Sequence, residues 1–247
     1  MRYSNFNPIT ARGTNHLGKP LISDTAMRSM YATMQQLRAA KRDRGVTEGL
    51  SRADRASLMT QPESLHAALL SQMHRRDTLL TEGEDAMAKV ATAAYFPVEV
   101  SSLHTIVCPG TGEECAAVAA GLCMKAAESA RVTGPRAVTV AILRSYPALD
   151  GVLSLIQQHD LPLLVVVQTA PEARGEAQRR LMGTKVPILP VDDADAVAVC
   201  RVVQEAILRA RNGWGGAVIQ ATRLPGAPDA LAGMEQRLRI RGLLPQS

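Results

Sequence analysis

Residues 138–168 read VTVAILRSYPALDGVLSLIQQHDLPLLVVVQ, and this stretch decides the fold. Val138–Leu143 and Leu161–Val167 are apolar runs of strand length. Between them, Ala148–His159 has helical spacing and ends at the polar pair His159-Asp160. Buried strands joined by a helix-length segment make a parallel βαβ unit, which needs helices over both faces of its sheet. The expected fold class is α/β, a parallel sheet flanked by helices on both faces. In open sheets of this kind a ligand sits beyond the carboxyl ends of the strands. That singles out two turns, Arg144-Ser145-Tyr146-Pro147 and Gln168-Thr169-Ala170-Pro171.

Working toward the N-terminus, Leu103–Val107 has the look of a short strand. Cys108-Pro109-Gly110-Thr111-Gly112 follows as a tight loop, and Glu113–Ala130 as a helix rich in Ala, Gly and Cys. Small residues allow close helix packing, so this is expected to be the most buried helix. The loop Gly110, Thr111, Gly112 gathers backbone N–H groups at a helix N-terminus, an arrangement that suits a phosphate. It lacks the Walker spacing and lysine. Glu113 and Glu114 in the first turn would repel an anion, and carboxylates there also satisfy the helix dipole.

Earlier still, Ser23 or Asp24 can cap a helix that carries Met27, Met30, Met34 and Leu37 at spacings of three and four. Lys41-Arg42-Asp43-Arg44-Gly45 is expected to close it with positive charge and a left-handed glycine. Further helices are expected over about 61–73 and 83–94, packed on one side of the sheet. His66 and His74 are too far apart on such a helix to share a metal. Residues 1–22 carry no periodicity and read as an extended arm, leaving 23–247 as one α/β domain.

Beyond the central unit, Pro171–Lys185 is charged and reads as a loop or short helix. Val186–Val191, with its two prolines, is a short or edge strand. Asp192-Asp193-Ala194-Asp195 caps a long helix, Ala196–Arg211, which stops at Asn212-Gly213. A last strand, Ala217–Ala221, and a last helix, Leu231–Arg241, complete the chain.

Hydrophobic residues make up 46% of the 247, enough for a full core without disulfides, whereas aromatics at 3% argue against stacking on nucleic-acid bases. The net charge of +5 comes from scattered arginines such as Arg75-Arg76, Arg179-Arg180 and Arg237, Arg239, Arg241. They read as solvated helix faces and salt-bridge partners, with a polyanion-binding surface as the alternative. Cys108, Cys115, Cys123 and Cys200 lack metal spacing and read as small buried hydrophobes in a reducing compartment. No segment approaches the roughly 18 apolar residues of a membrane span, so a cytoplasmic protein with no membrane and no nucleic-acid partner is expected.

Three segments carry a resemblance. Met30-Tyr31-Ala32-Thr33-Met34 with Arg38, the run from Val191-Asp192-Asp193-Ala194-Asp195 to Arg209-Ala210-Arg211-Asn212-Gly213 and Gln220, and Gly110–Lys125. In this order the chain resembles the alpha chain of thiamine-diphosphate-dependent 2-oxo acid dehydrogenases, their decarboxylating first component. The resemblance implies a thiamine-diphosphate-binding fold. It also implies a homo-oligomer or a beta-type partner chain, because in that family the cofactor lies between two domains. Family members carry G-D-G after the first strand of the central unit and two Asn after the second, and the Asp and one Asn bind the Mg²⁺ that holds the diphosphate. Here Arg144-Ser145-Tyr146 and Thr169-Ala170 stand at those positions. Met73-His74-Arg75-Arg76-Asp77 is only a loose counterpart of the family's Y-R-D/E-H segment, and the chain is much shorter than a typical member.

Mg²⁺ wants near-octahedral oxygen ligation, usually with a carboxylate. Ser145 and Thr169 offer only hydroxyls, Arg144 brings a positive charge, and Asp150 belongs to the following helix. Three readings follow. The chain is an alpha-type subunit that has lost the metal site and acts as a structural or regulatory partner. Or it is an active subunit that binds thiamine diphosphate through unusual ligands, Arg144 in place of Mg²⁺. Or it binds another phosphorylated small molecule at the Gly110 loop. Candidate cofactor-binding residues are Gly110, Thr111, Gly112, Arg144, Ser145 and Thr169; no catalytic residue and no metal ligand is assigned.

Overall fold

The computed structural model describes residues 22–48, 50–83, 85, 87, 88, 104–129, 136–144, 149–169 and 184–245. The expected arm up to Leu21, most of the 171–185 segment, Ser145-Tyr146-Pro147 and all but fragments of the helix expected at 83–94 lie outside them.

Among the described residues six parallel strands form one sheet. They are β1 (Thr78–Glu82), β2 (His104–Cys108), β3 (Thr139–Leu143), β4 (Leu163–Thr169), β5 (Ile188–Asp192) and β6 (Ala217–Thr222). Their spatial order is β2-β1-β3-β4-β6-β5. Every neighbouring pair is parallel, with Val140 opposite Leu164 and Val165 opposite Val218 in the centre. The α/β class read from residues 138–168 is thus what the chain adopts.

Successive strand residues feed opposite faces of the sheet. Val140, Ile142, Leu164 and Val166 enter one apolar cluster, while Ala141, Leu143, Leu163, Val165 and Val167 enter the other. This two-sided burial explains why the strands read as unbroken apolar runs. Helices α1 (Asp24–Arg42), α4 (Glu63–Gln72), α7 (Ala196–Arg211) and α8 (Ala230–Ile240) cover the first face. On the second lie α5 (Gly112–Ser129) and α6 (Asp150–His159). Short helices α2 (Arg44–Thr47) and α3 (Arg52–Thr60) connect α1 to α4.

Local chemistry sets most boundaries. Ser23 caps α1, its Oγ accepting from Ala26 N at 3.1 Å, and Met27, Met30, Met34 and Leu37 are buried. Asp195 caps α7 by accepting from Val197 N and Ala198 N, both at 3.1 Å. α6 stops at Asp160, which takes the left-handed conformation with φ 46°. β5, which contains Pro190 and follows Pro187, lies at a sheet edge as expected.

Two expectations need correction. α1 does not end on a left-handed Gly45: Asp43 turns the chain in an extended conformation, and its side chain then caps α2 through Gly45 N at 2.8 Å. Lys41 lies in the last turn of α1, where the sequence placed positive charge, and is buried and paired with Glu63. The most buried helix is α4 rather than α5, because Glu63 through Leu70 are all buried whereas Val118 on α5 is 45% exposed. β1 had no counterpart in the sequence reading.

Gly216, just before β6, lies against the β4 backbone. A Cβ there would stand 2.0 Å from the Leu163 carbonyl oxygen and 3.1 Å from that of Leu161. Neither is a side chain that can swing away. Gly216→Ala is therefore expected to cost about 3 kcal/mol, read from chemical denaturation, as overpacking against a rigid neighbour does; a cost within 0.5 kcal/mol would contradict this packing.

Candidate functional site

The carboxyl ends of the strands place Glu82, Cys108, Leu143, Thr169, Asp192 and Thr222 along one edge. From β1 the chain goes outward to β2 and then crosses back to β3 on the other side. The crevice between β1 and β3 is thus a switch point of the topology, where open sheets take ligands.

Two strand ends meet there. The Arg144 backbone N–H, one residue past β3, donates to Glu82 Oε2 at 2.8 Å. Gly112, the first residue of α5, faces the same carboxylate: a Cβ on it would lie 2.9 Å from Glu82 Oε2. The structure therefore brings Gly112 and Arg144 together around Glu82, a residue the sequence reading missed.

The neighbouring loop closes on itself. Thr111 N donates to Glu114 Oε2 at 2.7 Å, and Glu114 N approaches Thr111 Oγ1 at 3.4 Å. This reciprocal pairing is a capping box, and it engages N–H groups that an anion would otherwise use. Gly110 is what lets Glu114 fold back, since a Cβ there would overlap its carboxylate. Thr169 ends β4 opposite Thr222 of β6, with β3 between it and β1. Ser145 lies outside the described residues. Asp150 is exposed in the first turn of α6.

A second missed feature adjoins the crevice. His66 of α4 is buried, with Nε2 3.5 Å from Asp85 Oδ2. Asp85 Oδ1 accepts from Met87 N at 2.9 Å and Ala88 N at 3.1 Å. Burial alone would raise this carboxyl, but the His66 ring, the backbone donors and the Arg144 charge together hold it below the usual range.

Among the described residues the groups at this crevice are already engaged with one another. The carboxylate nearest the crevice already accepts the Arg144 amide, and a diphosphate approaching the start of α5 would meet Glu82 and Glu114. Among the described residues no three His, Cys, Asp or Glu side chains are grouped to hold a metal.

The four cysteines are free and buried. Burial pushes the Cys115 thiol up to about 12 and the Cys123 thiol up to about 11, so neither is a nucleophile at neutral pH.

At the far end of the edge, Asp193 N donates to Thr222 O at 3.2 Å, and Ser64 Oγ donates to Asp193 O. Asp193 is buried, and its Oδ1 finds no hydrogen-bond partner among the described residues. Burial pushes its carboxyl up to about 6, Arg223 opposes the rise and Asp192 adds to it. A carboxyl raised on folding binds its proton more tightly in the native state, so its charged form destabilises above the folded value and the penalty is relieved as pH falls toward the unfolded one. Asp193→Asn is expected to raise stability at pH 7.5 by about 1–2 kcal/mol and to leave it nearly unchanged at pH 4. Equal changes at both pH values in urea titrations would refute that assignment.

No protein-family model and no curated protein matches the sequence. Among solved structures, a chain described as "a putative thiamin diphosphate-dependent enzyme isolated from Mycobacterium smegmatis" is similar at 13% identity with a TM-score of 0.47. The likeness covers 67% of this chain and 32% of that one, so the present chain spans about a third of the other's length. Among the described residues no helix is long and apolar enough to cross a membrane.

Proposed function

We propose that the chain is a subunit of the 2-oxo acid dehydrogenase alpha-chain type that has lost the Mg-diphosphate motif. It serves as a non-catalytic or regulatory partner of a beta-type chain or of a second copy of itself. The sequence segments at Met30–Arg38 and Val191–Gln220 support the kinship. The observation that carries the functional half is the 2.8 Å bond from the Arg144 amide to Glu82 Oε2, which engages a strand-end amide of the β1/β3 crevice with the protein's own carboxylate. In this reading the carboxyl edge is a structural seam: Glu82 ties β1 to β3 and lies against α5, and the capping box fixes the start of that helix.

The test is co-expression with a beta-type chain, followed by purification and an assay of 2-oxo acid decarboxylation with thiamine diphosphate and Mg²⁺. A stable complex, or a self-associated form, without turnover is expected. Turnover dependent on this chain would overturn the non-catalytic assignment, and a strictly monomeric chain that captures no beta-type partner would overturn the subunit assignment.

A further inference from the structure

We propose that a basic cavity at the carboxyl end of β6 binds a small oxyanion bearing a phosphate or carboxylate group. The cavity measures about 140 Å³. Its lining includes Arg38, Lys41 and Arg42 from the end of α1, Glu63 from the start of α4, Arg223 just past β6 and Asp229 before α8. A cavity of roughly 150 Å³ accommodates a benzene-sized molecule, so a phosphate group has room. With β3 and β4 lying between β6 and β1, this place is distinct from the β1/β3 crevice.

The lining charges do not balance. Glu63 is fully buried, and its Oε1 accepts from Arg38 Nε at 2.6 Å and Lys41 Nζ at 2.8 Å. Its Oε2 accepts from Arg38 Nη2 at 2.7 Å, and the same nitrogen donates to Asp229 Oδ2 at 2.8 Å. The two carboxylates thus match Arg38 and Lys41, Asp193 faces Arg223, and Arg42 adds a further positive charge. Lys41 exposes only 3% of its side chain, and burial pulls its ammonium down from the usual lysine value. An anion in the cavity would return the solvation that this cation has lost.

Backbone dipoles add to the field. α4 begins at the wall of the cavity, and helix N-termini favour negative charge, whereas the start of α8 is already capped by Asp229, which accepts from Ala232 N at 2.9 Å. Pro62 at the N-cap of α4 supplies no side-chain acceptor to the first turn. An ion-pair knot with a purely structural role would match its charges and fill its own space. Here the cations outnumber the carboxylates by one, Arg42, around a hole, and arginine forks suit planar or tetrahedral oxyanions.

The experiment titrates the purified chain with inorganic phosphate, malonate and sodium chloride at matched ionic strength, following the melting temperature and the heat of binding. A saturable rise with phosphate or malonate, absent with chloride, is expected. The tighter of the two identifies the phosphate or the carboxylate class. Arg42→Gln and Arg223→Gln should each weaken the apparent Kd about tenfold, as loss of a charge-assisted contact does. Arg42 is exposed, so its variant keeps the test decisive even if Arg223→Gln folds poorly. No saturable response beyond chloride, or an unchanged Kd in the folded variants, would overturn the proposal. Thiamine diphosphate is absent throughout, so neither outcome depends on the functional reading above.

Discussion

Replacing Asp77 by alanine is expected to lower the melting temperature by about 10 °C, the effect of losing about 3–5 kcal/mol in a chain of this size. Asp77 is completely buried between β1, β3 and the end of α7. Its Oδ1 accepts from Val138 N at 2.8 Å and Arg211 Nη1 at 3.0 Å. Its Oδ2 accepts from His74 N and Arg211 Nη2, both at 2.6 Å. One carboxylate therefore joins the turn after α4, the start of the central strand β3 and the last turn of α7. Without it the Arg211 guanidinium stays buried with the Gln72 carbonyl at 3.0 Å, and two backbone donors lose their acceptor. A buried charge stripped of its partner costs far more than the pair contributes when intact. The double variant Asp77→Ala, Arg211→Met should regain part of the loss, because it removes the orphaned cation. Urea denaturation gives the comparison. A single-variant loss below about 1 kcal/mol would show that the pair does not hold these elements together.

Glu63→Gln is the second large effect, about 3 kcal/mol at neutral pH. It removes the one fully buried carboxylate that, among the described residues, faces Arg38 and Lys41 and leaves Asp229, which is 47% exposed, to face both. Burial by itself would raise the Glu63 carboxyl, but hydrogen bonds from Arg38 and Lys41 win and hold it below the ordinary range. The sign of the pH dependence follows. A carboxyl lowered on folding stabilises fully above its unfolded pKa, and that stability is lost as pH falls through the folded value. The difference between wild type and Glu63→Gln should therefore be large at pH 7 and shrink below about pH 4. A gap that persists unchanged at pH 3 would mean the charge of Glu63 is not what stabilises this corner.

The central βαβ unit was legible because parallel strands buried on both faces read as unbroken apolar runs, as Val138–Leu143 and Leu161–Val167 do. The same physics hid β1. Leu79 and Leu80 are its only aliphatic residues, each buried on a different face, and the flanking Thr78, Thr81 and Glu82 carry no strand pattern. Missing β1 meant missing Glu82 and Asp85 beyond it. Arg144 and Thr169 were placed at the carboxyl edge by rule, since any residue after a parallel strand lies there. Strand order was not legible: nothing local to Arg144 shows that β1 lies beside β3, 62 residues away from Glu82 in sequence. α4 was misjudged for a related reason. Glu63, Ser64 and His66 look like a solvent face, yet their partners Arg38, Lys41, Asp193 and Asp85 come from other elements.

The most direct measurement is a calorimetric titration of the purified chain with thiamine diphosphate, with and without Mg²⁺. No heat of binding in either condition is expected, because Glu82 and Glu114 already engage the amides at the crevice. Metal-independent binding abolished by Arg144→Ala would replace this account with one in which Gly110, Thr111, Gly112, Arg144, Ser145 and Thr169 hold the cofactor. Tight binding that requires Mg²⁺ would contradict the claim that the metal-diphosphate site has been lost.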